Sequence, residues 1–91
     1  MKPLFTLGHV VATAGALAVI EKSGQQPGAF LDRHASGDWG DVPPEDIKEN
    51  DFSLKHGLRL LSAYRTTAGD KLWVITEADR SSTCILLPDE Y

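Results

Sequence analysis

The sequence predicts an α+β fold: an N-terminal strand, three short helices, then a C-terminal three-stranded antiparallel meander, with the helices packed on one face of the sheet. Three observations predict it. The hydrophobic period changes from helical to alternating after Gly57. Glycines and prolines punctuate the changes of pattern. The 91 residues, 42% hydrophobic and 24% charged, suffice for one core and not for two, so residues 1–91 are read as a single domain.

From Phe5 to Ala12, the residues Phe5, Leu7, His9 and Val11 share one parity while Val10 and Ala12 take the other, which suits a strand covered on both faces. Thr13 can cap a helix over Ala14–Ser23, with Leu17 and Ile20 inward and Gly24 as a left-handed stop. Pro27 opens a second helix, in which Phe30, Leu31 and His34 recur at spacings of three and four; Gly37 stops it after about Ser36. Asp38-Trp39-Gly40-Asp41 follows as a tight turn anchored by the indole.

Val42-Pro43-Pro44-Glu45-Asp46 opens a third helix with acids at its positive end, Lys55 and His56 at the other, and Gly57 beyond. Its inward stripe reads Ile47, then Asn50 or Asp51, then Leu54. So thin a stripe predicts packing by one edge, with Asn50 buried against a partner. Leu58, Leu60, Ser62 and Tyr64 then share a face opposite Arg59, Leu61, Ala63 and Arg65. Gly69 turns Leu60–Thr66 into Lys71–Glu77 as a hairpin, and Ser82–Leu87 is the third arm, ended by Pro88.

The formal charge of −4 disfavours a surface that condenses on phosphate. A lone cysteine, Cys84, with no CxxC pair, fits a reducing, cytoplasmic compartment. Lys2 is followed by an apolar run broken at Gly8 and His9, far short of the roughly eighteen residues a membrane span needs, so neither export nor membrane insertion is expected. GxSxG, Walker, GxGxxG and HExxH motifs are absent, and the reading is non-enzymatic, with no metal, cofactor or catalytic residue assigned. His34 and Asp38 are four apart, but Gly37 parts them, and two ligands fall short of a metal site. His9 and His56 have structural explanations, as a core side chain and a helix-end partner. Cys84 lies in an apolar strand, where a thiol behaves as a small hydrophobe.

Residues 32–51 contain seven acids against Arg33 and Lys48, and such an exterior can steer a basic protein partner. The candidate contact residues are Asp38, Trp39 and Asp41 in the tight turn, Glu45, Asp46 and Glu49 on the third helix, and Asp79 and Arg80 in the last turn. That last turn has a structural reading as well, with Asp79 capping its own backbone and Arg80 pairing with Glu77 or Asp79. An alternative is nucleic-acid binding through a basic, aromatic sheet face carrying Arg59, Arg65, Trp73 and Arg80. A third reading, a small enzyme, requires His34, Asp38 and Asp79 to converge.

Two segments, His34-Ala35-Ser36-Gly37-Asp38-Trp39-Gly40-Asp41 and the stretch from Trp73-Val74-Ile75-Thr76-Glu77-Ala78-Asp79-Arg80 through Ser81-Ser82-Thr83-Cys84-Ile85-Leu86-Leu87-Pro88-Asp89-Glu90-Tyr91, carry a resemblance that extends over nearly the whole chain. The sequence resembles a family of small bacterial proteins labelled plasmid-related protein, some of them labelled restriction-modification subunit. The resemblance implies a bacterial cytoplasmic setting on a mobile element. Small acidic proteins in that setting often inhibit host-defence complexes by occupying a binding surface, and the family supplies no catalytic residues to transfer.

Overall fold

The computed structural model describes residues 3–91, which leaves the Lys2 cation outside the described part. The elements run β1 (His9–Ala12), α1 (Ala14–Lys22), α2 (Pro27–Ala35), α3 (Pro44–His56), β2 (Leu60–Arg65), β3 (Lys71–Thr76) and β4 (Ser82–Leu86), closed by a 3-10 turn at Pro88–Glu90. The α+β class stands, but the meander is not a separate three-stranded sheet. β1 joins it as a fourth strand in the order β1-β4-β3-β2, parallel to β4, so the sheet is mixed. A lone strand would leave its amides and carbonyls unpaired, and the outer edge of β4 is where β1 satisfies one row of them.

β1 starts four residues later than the alternation suggested. Gly8 takes a left-handed φ of 68°, and a Cβ there would overlap the Arg80 and Ser81 carbonyls, so the extended run breaks at that point. Residues 3–8 form a strap instead: Leu4 N–H donates to the Ala35 carbonyl at 2.8 Å, and Phe5 meets the His34 ring edge-on at 5.3 Å.

One face of the sheet carries the core. Leu60, Ser62 and Tyr64 of β2, Leu72, Val74 and Thr76 of β3, and Thr83 and Ile85 of β4 are all buried, and the pairing register aligns Tyr64 with Leu72 and Val74 with Ile85. Ala16, Ile20 and Phe30 from α1 and α2 complete the apolar cluster. The Thr13 hydroxyl accepts from Ala16 N–H at 3.0 Å, as its position predicts. Ala16 takes the inward place expected of Leu17, which is exposed, because a small side chain lets the helix lie close to the sheet.

α3 departs further from its expected stripe. Ile47 is 40% exposed, Leu54 only half-buried, and the buried residues are Asn50 and Ser53. The helix lies against the edge of β2, not over the apolar face. Asn50 Nδ2 donates to the Leu61 carbonyl at 2.7 Å while Oδ1 accepts from Leu61 N–H at 3.1 Å, so the side-chain amide takes the place of a neighbouring strand. Two rungs on, Ala63 donates to the Trp39 carbonyl at 3.0 Å and accepts from Asp41 N–H at 2.6 Å. Gly40, at φ 76°, makes that approach possible, since a Cβ would overlap the Ala63 carbonyl and the Tyr64 ring.

Candidate protein-contact surface

The rigid entry of α3 comes from Pro43, extended at ψ 157°, and Pro44 in the first turn; Gly57, at φ 67°, ends it with its N–H on the Ser53 carbonyl. With Asn50 and Ser53 turned to β2, helical spacing puts Glu45, Glu49, Phe52 and His56 in one outward row. Phe52 is 53% exposed, and its ring lies 4.1 Å from that of His56 at an interplanar angle of 30°. Glu45, Asp46 and Glu49 are exposed and belong to no ion pair among the described residues. The exposed aromatic ring therefore has the Glu45–Glu49 row on one flank and the exposed Lys48 and Lys55, at i−4 and i+3, on the other. Sequence reasoning named the acids but not Phe52, and read His56 only as a helix-end partner, although their seven- and eleven-residue spacing from Glu45 was the available signal.

The tight turn divides between surface and interior. Asp38 pairs with Arg33 Nε at 2.7 Å and accepts from Gly40 N–H at 3.2 Å; the guanidinium holds its carboxyl below the usual carboxylate range. Asp41 is exposed, 3.9 Å from Arg65. Trp39 is 4% exposed, stacked on Phe5 and edge-on to His34, with Nε1 donating to Asp51 at 3.3 Å. Its indole belongs to the interior.

The last turn is built from its own side chains. Asp79 accepts from Ser81 N–H at 3.0 Å, and the Ser81 side chain first, then this N–H, hold its carboxyl below the usual range. Arg80 pairs with neither Glu77 nor Asp79. At φ 61°, its guanidinium instead donates to the carbonyls of Leu58, Glu77, Ala78 and Ser53, while Glu77 pairs with Arg59 at 3.2 Å. A delocalised cation can serve several carbonyls at once, which an acid on the same turn would forgo. Of the proposed basic face, Arg59 and Trp73 both meet Tyr91, at 2.9 Å and at a ring separation of 5.7 Å, and Arg65 lies beside Lys71 in the register. Arg80 spends its donors on main-chain carbonyls, among them those of Leu58 and Glu77 next to Arg59.

His34, Asp38 and Asp79 have separate partners, and no hydrogen bond joins any two of them. His34 is instead one link of a buried chain whose direction can be deduced. Thr83 Oγ1 donates its only proton to the Leu7 carbonyl at 2.7 Å, so Thr76 must donate to Thr83, also at 2.7 Å. Thr76 then accepts from His34 Nε2–H at 2.8 Å, leaving Nδ1 bare to accept from Ser62 Oγ at 2.5 Å. This network fixes the tautomer. Burial, reinforced by the charge of Arg80, pushes the imidazole pKa down to about 4. A serine bonded to a histidine has the form of a nucleophile and its base, but both side chains are fully buried, and acyl chemistry needs access to the hydroxyl. Cys84, half-buried, has its thiol pKa raised, chiefly by burial, which moves it away from the reactive thiolate. Among the described residues no group of three His, Cys, Asp or Glu side chains is placed to hold a metal ion, and no helix is long and apolar enough to cross a membrane.

Comparison with family models, with curated proteins and with solved structures finds no match to this chain.

Proposed function

We propose that this is a non-enzymatic protein that acts by protein–protein contact, and that the outward row of α3 is its contact surface. The observation that carries the reading is the exposed Phe52 ring beside the row of Glu45 and Glu49, which belong to no ion pair among the described residues. Aromatic anchors supply much of the energy of protein interfaces, and charge around them sets approach rate and partner choice. The matching partner presents a hydrophobic cleft rimmed by Lys or Arg. Asp41, beside Arg65, is not one of these acids, and Trp39 and Arg80 support the scaffold behind them. Its finer form is an accessory of a bacterial mobile element that inhibits a host-defence complex by covering a basic surface.

The test is capture from bacterial lysate, with and without added restriction complexes, comparing the wild type with Phe52→Ala and Glu45→Lys/Glu49→Lys. The expected result is a partner retained by the wild type, lost with Phe52→Ala, and lost progressively with salt. Identical recovery by all three proteins overturns the assignment. Nucleic-acid binding by Arg59, Arg65 and Trp73 is the second reading, favoured by their sharing, with Lys71, the face of the sheet opposite the Tyr64 and Leu72 core, although Arg59 and Arg65 stand at opposite ends of β2. It requires salt-sensitive association with single or double strands that Arg65→Glu abolishes.

A further inference from the structure

The two edges of the sheet are treated differently. That of β2 is closed, by the Asn50 amide at Leu61 and by the Trp39–Asp41 backbone at Ala63. At the other edge, His9 and Thr13 direct their N–H groups to the Ser81 and Ile85 carbonyls of the β4 side, at 2.9 and 3.0 Å. Strand alternation then turns the N–H and C=O of Val10 and Ala12 outward, and no hydrogen bond among the described residues takes them. Val10 and Val11 are 41% and 43% exposed, one on each face. β1 has none of the lysines, acids or prolines that protect edge strands.

We infer that β1 pairs with β1 of a second copy of this chain, antiparallel about a two-fold axis perpendicular to the sheet. That symmetry keeps both helix layers on one side, so only residues of like parity can stand opposite each other. Centring the axis on Val11 pairs each outward-facing Val10 with Ala12 of the second copy, giving four ladder bonds, and brings the two Val11 side chains together. Electrostatics favours this edge as the meeting place. Each copy carries −4, yet residues 3–20 contain no Asp, Glu, Lys or Arg, so the strands approach without like charges in the ladder. The same register sets His9 opposite Thr13 of the second copy, whose hydroxyl donates to Glu90 Oε1 at 2.7 Å, and an imidazole there faces a carboxylate. Beside β1, a groove of about 700 Å³ lined by Phe5, Leu7, Val10 and Ala35 offers further apolar surface for the incoming chain.

Val10→Pro separates this pairing from the fold, because the lost N–H is the outward one and proline is tolerated on an edge strand. Sedimentation velocity at concentrations up to about 1 mM should show the wild type shifting from monomer to dimer, and Val10→Pro remaining monomeric with an unchanged circular dichroism spectrum. Val11→Lys, which sets two like charges across the axis, should give the same loss with the ladder donors intact. A wild type that stays monomeric throughout, or a dimer that survives in both variants, overturns the inference.

Discussion

His34 is the residue on which most of the interior converges, since its two nitrogens join α2 to β2 and β3, and Phe5 and Trp39 pack against its ring. His34→Ala should cost about 3–5 kcal/mol in denaturant unfolding, because it opens a cavity and leaves the Ser62 and Thr76 hydroxyls without their partner. Its titration has a definite sign. The folded state holds the imidazole neutral to about pH 4 while the unfolded chain protonates near 6.5, so the stability is complete above pH 6.5 and is lost as pH falls toward 4. The loss should total about 3 kcal/mol and should disappear in His34→Gln. Asp38, held low by Arg33, adds its own loss only below the ordinary carboxylate range. Glycines separate just as sharply. Gly40→Ala forces a Cβ onto backbone and a buried ring and should cost roughly 3 kcal/mol or more. Gly28→Ala, with open space and no positive φ, should raise stability by about 0.5 kcal/mol.

At the scale of elements, α3 is held less by apolar burial than by imitation of a strand. Asn50→Ala removes two hydrogen bonds and leaves the Leu61 N–H and C=O without that cover, and should cost about 2 kcal/mol. Because it also uncovers a strand edge, it should raise aggregation on warming, measured by light scattering. The helix itself was legible from its prolines, its charged ends and Gly57, and the burial of Asn50 from the thinness of the apolar stripe. Its outward face was not legible, because Ile47 looked like a core residue in a stripe where Ser53 is the buried one, and hydropathy cannot recognise a helix that packs on backbone polar groups. β1 was legible as a strand but not in its position, since alternation within a strand says nothing of which neighbour it chooses. The Ser62, Thr76 and Thr83 chain was marked only by parity, each hydroxyl falling among apolar residues of a buried face.

Across the whole molecule, the sheet order sets β1 and α3 at opposite edges, so pairing through β1 leaves Phe52 and its acids free on both copies. Thermal unfolding should then depend on protein concentration in the wild type and not in Val10→Pro, because association with the folded state alone adds stability by mass action. Phe52→Ala should leave the melting temperature unchanged, since the ring it removes is more than half exposed. The acidity of the middle third was evident from composition. Which acids lack an ion-pair partner among the described residues was not, because Asp38 and Asp41 differ from Glu45 and Glu49 only in having an arginine brought to them by the fold.

The register that sets His9 beside Ser82 also has a bearing on synthesis. A nascent chain leaves the ribosome with β1 exposed, and its partner β4 emerges about seventy residues later, after α1–α3, β2 and β3. The sheet therefore closes only once β4 has been made, and until then the uncharged run of residues 3–20 is a natural target for a holding chaperone.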